Sequence, residues 1–497
     1  METVIVWLRR DLRLVDNPAL YEAARRGARV IPVYIHDPEA DGDWAPGAAS
    51  RWWLHYSLQS LARTLRAAGS RLVLRRGPTL AALRALVGEL GAQAESLAVY
   101  WNRRYEPAQI ALARTVRTEL EADGIGCASY NAGLLFEPGT VQTGSGGPYR
   151  VFTPFWRRCQ QLGLEQTPLP APARLPAVPR RLRSERLSAL GLLPTVRWDA
   201  GLRETWSVGE AGAGERLAAF IETGLGDYPA ARDVPAAPGT TRLSPHLHFG
   251  EIGPRQVLAA LRAVSMAGGL DGGRGGESPV ETLLRQLAWR EFAHHILYHF
   301  PHTTHAPLDA RYAGFPWRRS PRLLHAWQAG NTGVPLVDAG MRELWHTGWI
   351  HNRVRMVAAS FLTKHCRIRW QEGARWFWET LVDADLANNT LGWQWAAGSG
   401  ADAAPYFRAF NPQRQSERFD PQGEYLARWV PELAALAPRW RHRPWNAPAQ
   451  GQGELMGGAL EGAAPVDYPA PVVDLAQGRE EALAAYRRHM RRQRGPA

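Results

Sequence analysis

The residues best suited to chemistry lie close together in residues 381–395, which read LVDADLANNTLGWQW. Asp383 and Asp385 can accept hydrogen bonds, and the two asparagine amides that follow can both donate and accept. Trp393 and Trp395 add large planar surfaces, which rarely cluster without a flat group to stack on. A helix cap followed by core aromatics is one alternative, and a D-x-D magnesium site is another. The stretch therefore indicates a flat binding partner, which the rest of the chain must identify.

Length and cysteine content limit the class of protein. With 497 residues, the chain is long enough for two or three domains with sizeable cores. Its cysteines, Cys127, Cys159 and Cys366, are too scattered for a zinc site or a disulfide framework, which suits a reducing compartment. The opening residues METVIVWLRR lack the apolar core of a signal peptide, and no stretch approaches membrane-spanning length. We expect a soluble, cytoplasmic protein with no membrane partner.

The charge favours a polyanionic partner. The formal net charge is +12, from 59 basic and 47 acidic residues. Lys364 is the only lysine, so almost all of the basic charge is guanidinium, which binds phosphate oxygens through a bidentate fork. A GC-rich genome would produce the same arginine bias, and a plain solvated surface is the alternative. The 21 tryptophans exceed what a structural core needs.

Residues 1–130 alternate between short β-branched runs and segments of helical periodicity, which predicts a doubly wound α/β domain with a parallel sheet. The strand candidates lie near Val4, Val30, Leu72, Val99 and Ile125. No G-x-G-x-x-G or Walker loop is present, so a dinucleotide held in the first turn is not expected. Ligands of such sheets bind beyond the strand carboxyl ends, which points to residues 9–11 and 101–106, with solvent-facing arginines as the alternative.

The rest of the chain divides into three parts. Residues 131–200 are rich in proline, glycine and arginine and predict a long ordered connector. Residues 201–445 show apolar positions at helical spacing and predict an all-α domain, with an exposed loop at residues 268–276. Residues 446–497 form a tail that ends YRRHMRRQRGPA. We expect this basic end to be disordered, with DNA contact as the alternative.

A phosphate site is one interpretation of residues 239–250, GTTRLSPHLHFG. Ser244 followed by Pro245 predicts a helix start, with the serine as N-cap and the proline in the first helical position. Hydroxyls beside a helix N-terminus can hold a phosphate or diphosphate, although a plain cap is the alternative. The groups available for such a site belong to Tyr228, Arg232, Thr240, Thr241 and Ser244.

Two further segments carry polar and aromatic groups on predicted helices. Residues 281–292, ETLLRQLAWREF, place three such groups within one turn, namely Gln286, Trp289 and Arg290. The histidines that follow do not predict a metal site, because Pro301 interrupts them and no acidic or cysteine co-ligand has suitable spacing. In residues 348–356, GWIHNRVRM, one helical face carries Asn352, Arg353 and Met356, which could cradle a flat, partly polar base.

These segments, in this order, resemble the photolyase/cryptochrome flavoproteins, most closely the bacterial cyclobutane pyrimidine dimer photolyases. The likeness covers nearly the whole chain, through WLRRDLRLVDNPAL, GTTRLSPHLHFGEI, WREF, TGWIHNRVRM, DADLANNTLGWQW and DAAPYFRAFNPQRQSERFD. The resemblance implies an FAD folded into a U inside the helical domain. It also implies that Arg355 pairs with Asp383 and that Asn389 faces flavin nitrogen-5. The implied cofactor residues are Tyr228, Arg232, Thr240, Thr241, Leu243, Ser244, Arg355, Asp383, Asp385 and Asn389.

The resemblance further implies light-driven lyase chemistry on DNA that contains pyrimidine dimers. Excited, reduced FAD gives an electron to a dimer that has left the duplex stack, the cyclobutane ring splits, and the electron returns. Trp393, Trp370 and Trp317 match the family's tryptophan chain from flavin to surface, which keeps the flavin reduced. We expect a monomer whose DNA binding weakens with salt. The implied DNA-binding residues are Gln286, Trp289, Arg290, Asn352, Arg353, Met356 and Trp395.

Two departures from the family pattern leave questions open. Gln286 stands where dimer photolyases usually have a glutamate. Ala108 and Gln109 stand where folate-binding members have asparagine and glutamate, so the antenna could be a folate, a deazaflavin, a second flavin or nothing. A cryptochrome-type light sensor is the main alternative function. Met356 and the two pocket tryptophans favour repair, whereas Gln286 favours the sensor.

Overall fold

The computed structural model describes residues 2–91, 96–164, 166–266, 278–402, 408–447 and 467–493. The loop expected at residues 268–276 lies outside the described residues. The chain divides into two compact units. The first comprises Met1–Pro229, Thr241–Thr304 and Trp378–Asn389, and the second comprises Ala230–Thr240, His305–Phe377 and Thr390–Ala497.

A five-stranded sheet lies in the first unit. Its strands are β1 (Thr3–Leu8), β2 (Arg29–His36), β3 (Val73–Arg76), β4 (Leu97–Asn102) and β5 (Gly126–Tyr130). The order is β3-β2-β1-β4-β5, and every neighbouring pair is parallel. Because the order reverses at β1, the sheet is doubly wound. The α/β fold and the five strand positions predicted from the sequence are confirmed.

The switch point of the sheet lies between β1 and β4. Trp7 on β1 pairs in register with Trp101 on β4, and their ring centroids are 5.9 Å apart. The strands read as continuous apolar runs because helices cover both faces of a parallel sheet. The residues that follow Leu8 and Asn102 are therefore brought together at one edge, where ligands of such sheets bind.

Helices account for most of the remaining structure. In the first half of the chain they are α1 (Pro18–Arg25), α2 (Ala48–Ala67), α3 (Thr79–Gly91), α4 (Pro107–Ala122), α5 (Phe152–Leu162), α6 (Ala200–Thr205), α7 (Glu210–Thr223), α8 (Tyr228–Ala231), α9 (Ser244–Phe249) and α10 (Pro254–Met266). After them come α11 (Pro279–His299), α12 (Pro321–Gln328), α13 (Pro335–Thr347), α14 (Asn352–Ser360), α15 (Trp370–Thr380), α16 (Leu386–Ala397), α17 (Pro412–Phe419), α18 (Glu424–Trp429), α19 (Pro438–Arg441) and α20 (Leu475–Gln493). Among the described residues beyond β5, β-structure is limited to a bridge between Arg318 and Ile368. The predicted all-α character of this region is confirmed.

Local sequence explains where several helices begin and end. Asn17 caps α1 by accepting a hydrogen bond from Leu20 N at 3.2 Å, and Pro18 occupies the first turn. Helix α11 ends at His299, two residues before Pro301. A proline cannot continue a helix because it lacks the backbone N–H donor.

The basic C-terminal end is ordered as helix α20 up to Gln493, so the expectation of disorder was wrong for this part. Two of its alanines, Ala482 and Ala485, are buried against Phe315. Gly478 lies against the His365 backbone, where an added Cβ would be 2.9 Å from the carbonyl oxygen. Packing of a small-residue face thus stabilises a segment that looked merely charged. None of the described helices has the length and apolar content needed to cross a membrane.

Candidate functional site

Asp385 caps helix α16, which carries the tryptophans of the motif. Its Oδ1 accepts hydrogen bonds from Asn388 N at 2.9 Å and from Asn388 Nδ2 at 2.8 Å. Asn389 N donates to the Asp385 carbonyl at 2.8 Å. A carboxylate in this position satisfies the free N–H groups of the first turn and interacts favourably with the helix dipole. The helix-cap alternative is therefore confirmed for Asp385.

The second oxygen of the same carboxylate lies between two histidines. Asp385 Oδ2 is 3.5 Å from His294 Nε2 and 3.7 Å from His248 Nδ1. All three side chains are buried, and the Asp385 residue is 8% exposed. Burial alone would raise the pKa of Asp385, but His294 and His248 outweigh burial and hold that pKa well below its usual range. The carboxylate is therefore charged at neutral pH.

The two imidazoles respond differently to the shared carboxylate. Burial, with added repulsion from Arg10, lowers the pKa of His248 to about 4. Burial also opposes charge on His294, but Asp385 outweighs it and raises the pKa of His294 above its usual value. His294 is thus the better cationic partner of Asp385, while His248 stays neutral. This cluster of buried polar groups was not predicted as a unit, although the histidines on α11 had been noted.

The segment predicted to hold phosphate begins helix α9. The helix starts at Ser244, and Leu243 occupies the N-cap without a side-chain hydrogen bond. The prediction of Ser244 as N-cap was wrong by one residue, because Leu243 already adopts φ −83° and ψ −6°. Thr241 Oγ1 accepts a hydrogen bond from Leu243 N at 3.3 Å. Leu243 and Tyr228 are both buried in the helical core of the first unit.

Helix α11 places Trp289 against an aromatic side chain of α5. The rings of Phe152 and Trp289 are stacked, with centroids 3.8 Å apart and planes inclined by 6°. Gln286 is half-buried, and its one hydrogen bond to the described part of the chain is long, from Nε2 to the Thr282 carbonyl at 3.5 Å. Arg290 donates to the Gly133 carbonyl at 2.7 Å. The three predicted residues therefore differ in how strongly neighbouring groups hold them. Gln286 keeps the most unused hydrogen-bonding capacity.

In the second unit, the predicted face of α14 forms. The Nδ2 of Asn352 lies 3.9 Å from the Sδ of Met356, one turn away, and Asn352 is exposed. Arg353 forms an ion pair with Asp233 at 2.7 Å and lies over the ring of Phe419, with 4.4 Å from Cζ to the centroid. Nothing in the sequence pattern indicated Asp233. The ion pair comes from tertiary packing within this unit.

Arg355 and Arg232 also belong to the second unit. The Nε of Arg355 donates to the Ile350 carbonyl at 2.9 Å. The pairing of Arg355 with Asp383 remains a prediction. Thr240 and Arg232 are both half-buried, and their cofactor roles likewise remain predictions.

The three tryptophans of the predicted relay differ in exposure. Trp393 and Trp370 are 2% and 3% exposed, and Trp317 is half-buried. Trp393 packs edge-on against Phe377 at 5.0 Å and against Trp327 at 6.0 Å. Its ring fits over Gly373, where an added Cβ would lie 2.0 Å from Cη2. The order from buried to exposed is what an outward route for charge requires.

Trp395 has a different environment from Trp393, two residues away. It is half-buried, and its ring centroid is 6.1 Å from that of Phe410. A small cavity beside it is lined by Ser360, Lys364 and Arg408, among others. A partly open indole near the exposed guanidinium of Arg408 suits contact with a nucleic acid.

The edge of the sheet at the switch point holds a cavity of about 60 Å³. A charged network surrounds it, in which Glu106 accepts hydrogen bonds from Arg10 and Arg104, both at 2.8 Å. Gln109 donates to Asp41 at 3.0 Å and accepts from Arg9 at 3.2 Å. The predicted residues after β1 and β4 therefore do meet, and they bind one another instead of facing solvent. Ligand pockets usually measure a few hundred Å³, so this cavity is small.

The possible metal ligands and the cysteines bear on the expectations from the sequence. Within the described ranges, no group of three or more His, Cys, Asp or Glu side chains is arranged to hold a metal ion. All three cysteines are free, and Cys159 and Cys366 are buried.

Family models match two long segments of the chain. A model described as DNA photolyase matches residues 4–173, and one described as the FAD binding domain of DNA photolyase matches residues 283–488. Deoxyribodipyrimidine photo-lyase of Agrobacterium fabrum is 44% identical over 97% of this chain and 97% of its own length. Cryptochrome-2 of Arabidopsis thaliana is 39% identical over 96% of this chain and 77% of its own length. A solved bacterial class III photolyase from Agrobacterium tumefaciens matches with a TM-score of 0.90 and 43% identity, covering 99% of this chain and 98% of its own.

The buried polar groups of the first unit fit an FAD. His248 Nδ1 is buried and has no hydrogen-bond partner among the residues that the structure describes. The charged Asp385 carboxylate beside it can accept hydrogen bonds from ribityl hydroxyls or ring N–H groups. Most buried polar atoms have hydrogen-bond partners, and a polar cofactor bound beside Asp385 would supply one to His248 Nδ1.

Proposed function

Because the chain belongs to the photolyase/cryptochrome family, we propose that it is a light-driven repair enzyme that splits cyclobutane pyrimidine dimers in DNA. When bound, reduced FAD supplies the photoexcited electron for ring opening. The protein side chains hold the cofactor, receive the lesion and exclude water. The observation that carries repair over signalling is the α14 face, where exposed Asn352 lies 3.9 Å from the Met356 thioether.

The residues proposed to hold the cofactor include a charged carboxylate and two hydroxyl groups. Asp385, charged and flanked by His294 and His248, accepts hydrogen bonds from the cofactor. Thr241 and Ser244 offer hydroxyls to its phosphates, and Tyr228, Arg232, Thr240, Leu243, Arg355, Asp383 and Asn389 are proposed to complete the site. Asp385 raises the pKa of His294, so the protonated form of this histidine is favoured and would offset the charge of the carboxylate that binds the cofactor.

The lesion is proposed to contact side chains of α11, α14 and α16. Trp289 and Trp395 pack against the flipped pyrimidines, because base–aromatic stacking stabilises an unstacked base by about 1–3 kcal/mol. Gln286 and Asn352 hydrogen-bond to the carbonyl and imide edges, and Met356 fills the apolar part of the contact. Arg290 and Arg353 are proposed to bind phosphates, where guanidinium geometry suits bidentate contact.

Trp393, Trp370 and Trp317 are proposed to carry positive charge outward from the cofactor. Burial of the first two keeps water and external oxidants away from the inner part of the route. Half-buried Trp317 would exchange charge with solvent.

The edge of the sheet offers little room for a second chromophore. The cavity of about 60 Å³ at the sheet edge is smaller than the several hundred Å³ of an ordinary ligand pocket. We propose that any antenna bound there requires Arg104 and Arg10 to leave Glu106. We also propose that the protein is a cytoplasmic monomer. Its three free cysteines suit a reducing compartment. Size-exclusion chromatography measures the oligomeric state.

The test is to purify the protein, record its absorption spectrum and illuminate it with a dimer-containing oligonucleotide. Flavin bands together with recovery of thymine absorbance support repair. Flavin bands with light-induced changes in the cofactor but no recovery of thymine absorbance indicate a cryptochrome-type sensor. A colourless protein that cannot be reconstituted with FAD would contradict both.

A further inference from the structure

A segment of the first unit carries a large share of the net positive charge of the chain. Residues 166–198, named here the basic strap, contain six arginines and one glutamate. Their sum of +5 compares with +12 for the whole chain of 497 residues. The arginines are Arg174, Arg180, Arg181, Arg183, Arg186 and Arg197.

The basic strap is fixed to the sheet domain along its length. Leu175, Val178 and Leu182 are buried, and the last two join the core beneath β3. Leu175 N donates to the Ala68 carbonyl at 2.8 Å, and Glu185 N donates to the Leu74 carbonyl at 2.9 Å. These contacts hold the backbone in place while the intervening side chains point away from the core.

The side chain of Arg71, near the edge of the sheet, binds the backbone of the strap. The Arg71 guanidinium donates to the Pro179 carbonyl at 3.0 Å and to the Leu182 carbonyl at 2.6 Å. Burial and the nearby charge of Arg75 lower the pKa of Arg71. Arg71, which precedes β3, therefore fixes the backbone of the strap at two carbonyl groups.

The six arginines of the strap are exposed. Among the residues that the structure describes, none of the six forms an ion pair within 4.0 Å. Exposed arginines elsewhere in this unit do pair, as Arg84 does with Glu119 at 2.9 Å and Asp123 at 2.7 Å. The strap thus presents concentrated guanidinium charge that is not paired with any carboxylate in the described part of the chain.

We propose that the basic strap is a further contact surface for the phosphate backbone of duplex DNA, outside the lesion-binding residues. The inference rests on the proposed function, which makes DNA the partner. Arg180, Arg181, Arg183 and Arg186 fall within seven positions, so their side chains can reach neighbouring phosphates on one duplex. Phosphate contacts carry no sequence information and supply most of the non-specific affinity. The strap then raises the time that the protein spends on undamaged DNA.

The test compares two triple variants of the full-length protein. The strap variant carries Arg180→Gln, Arg181→Gln and Arg183→Gln. The control carries Arg25→Gln, Arg26→Gln and Arg114→Gln, which remove the same charge from exposed positions on α1 and α4 or next to them. Binding to an undamaged duplex of about 40 base pairs is measured by fluorescence anisotropy over a range of salt concentrations. Thermal unfolding of both variants shows that they are folded.

The strap variant should lose roughly tenfold in affinity at low salt, and the slope of log K against log salt should fall by up to about 2.7, at about 0.9 per phosphate contact. The control should change much less. Repair of a short dimer-containing oligonucleotide should be the same in both variants. Equal losses in the two variants would overturn the proposal and leave an ordinary solvated surface. Loss of binding to RNA or to anionic lipid vesicles, with duplex binding intact, would also overturn it.

The outcomes separate the strap from the repair activity. If the unmodified protein binds duplex through the strap but restores no thymine absorbance, the proposed function fails and the strap stands. If repair proceeds and the strap variant binds duplex like the control, only the strap fails.

Discussion

Phe152 covers one face of Trp289, with ring centroids 3.8 Å apart and planes inclined by 6°. A flipped pyrimidine can therefore meet only the other face or the edge of this indole. Trp289 also lies edge-on to Phe292 at 5.8 Å, which further limits its movement. The stack holds the indole in one orientation before DNA arrives, so it reduces the entropy lost on binding.

Phe152→Ala should weaken binding of dimer-containing DNA more than binding of undamaged DNA. An aromatic pair contributes about 0.5–1.5 kcal/mol beyond buried area, which corresponds to a loss of roughly 2- to 13-fold in affinity. Phe152→Tyr keeps the stack and serves as the control. Equal losses for damaged and undamaged DNA in anisotropy titrations would show that the stack is only structural.

Gln286→Glu should leave the repair yield unchanged or raise it. Among the described residues, the amide contacts the Thr282 carbonyl at a long 3.5 Å, so a carboxyl group replaces it there without breaking a strong hydrogen bond. A carboxyl group can accept an imide proton or, when protonated, donate to a carbonyl. Dimers split per photon absorbed is the measurement, with Gln286→Ala as a variant that should lower it. A large loss in Gln286→Glu contradicts the proposed role.

Asp233→Asn should increase non-specific DNA binding. Arg353 is held by Asp233 at 2.7 Å, and loss of the carboxylate charge frees the guanidinium for phosphate. We expect the salt slope to rise by about one and the preference for damaged DNA to fall. Glu372→Gln is the matched control, because it removes a carboxylate paired with Arg369 in the same unit. If both variants behave alike, the effect is one of net charge and not of Arg353.

Gly373→Ala should displace the ring of Trp393. The added methyl group would lie 2.0 Å from Cη2, which is far inside van der Waals contact. Overpacking of this kind typically costs about 1–3 kcal/mol of unfolding free energy. Light-driven reduction of the bound flavin should also slow, because the inner member of the relay has moved. Gly392→Ala is the control, since nothing lies within 4 Å of the corresponding Cβ. A stable Gly373→Ala variant with unchanged photoreduction would count against the relay.

Stability should fall as the pH drops from about 6.5 towards 4. Burial is the main cause that lowers the pKa of His248, His295 and His365 to about 4 each. Between the unfolded value of about 6.5 and the folded value, the unfolded chain binds more protons. Each histidine therefore contributes up to about 1.4 kcal/mol per pH unit to the decline.

Another histidine works in the opposite direction. The raised pKa of His294 contributes stability below about 6.5, which is lost as pH rises through its folded value. Denaturant titrations at several pH values measure the sum of these effects. His365→Asn should flatten the decline, whereas His302→Asn, at an exposed position, should not. A decline of equal slope in both variants would contradict the assignment to buried histidines.

The strand positions, the helical second half and the family were accessible from the sequence because they depend on local periodicity and on motifs read in order. The runs near Val4 and Val99 alternate with helical segments, and that pattern predicts a parallel sheet. The basic end after Tyr486 was misjudged because helix α20 depends on burial of Ala482 and Ala485, and packing partners far along the chain do not show in a local charge pattern.

The sequence by itself determined that the chain has a doubly wound sheet and a helical domain, since each of these follows from periodicity along one segment. Its motifs, read in order, indicated a flavoprotein by their resemblance to a known family. Tertiary structure alone decided that His248 and His294 share Asp385, that Phe152 stacks on Trp289 and that Asp233 holds Arg353. The partners in each of these contacts lie between 91 and 137 positions apart. Contacts at such separations depend on how elements pack, and pKa values and stacking follow only from that packing.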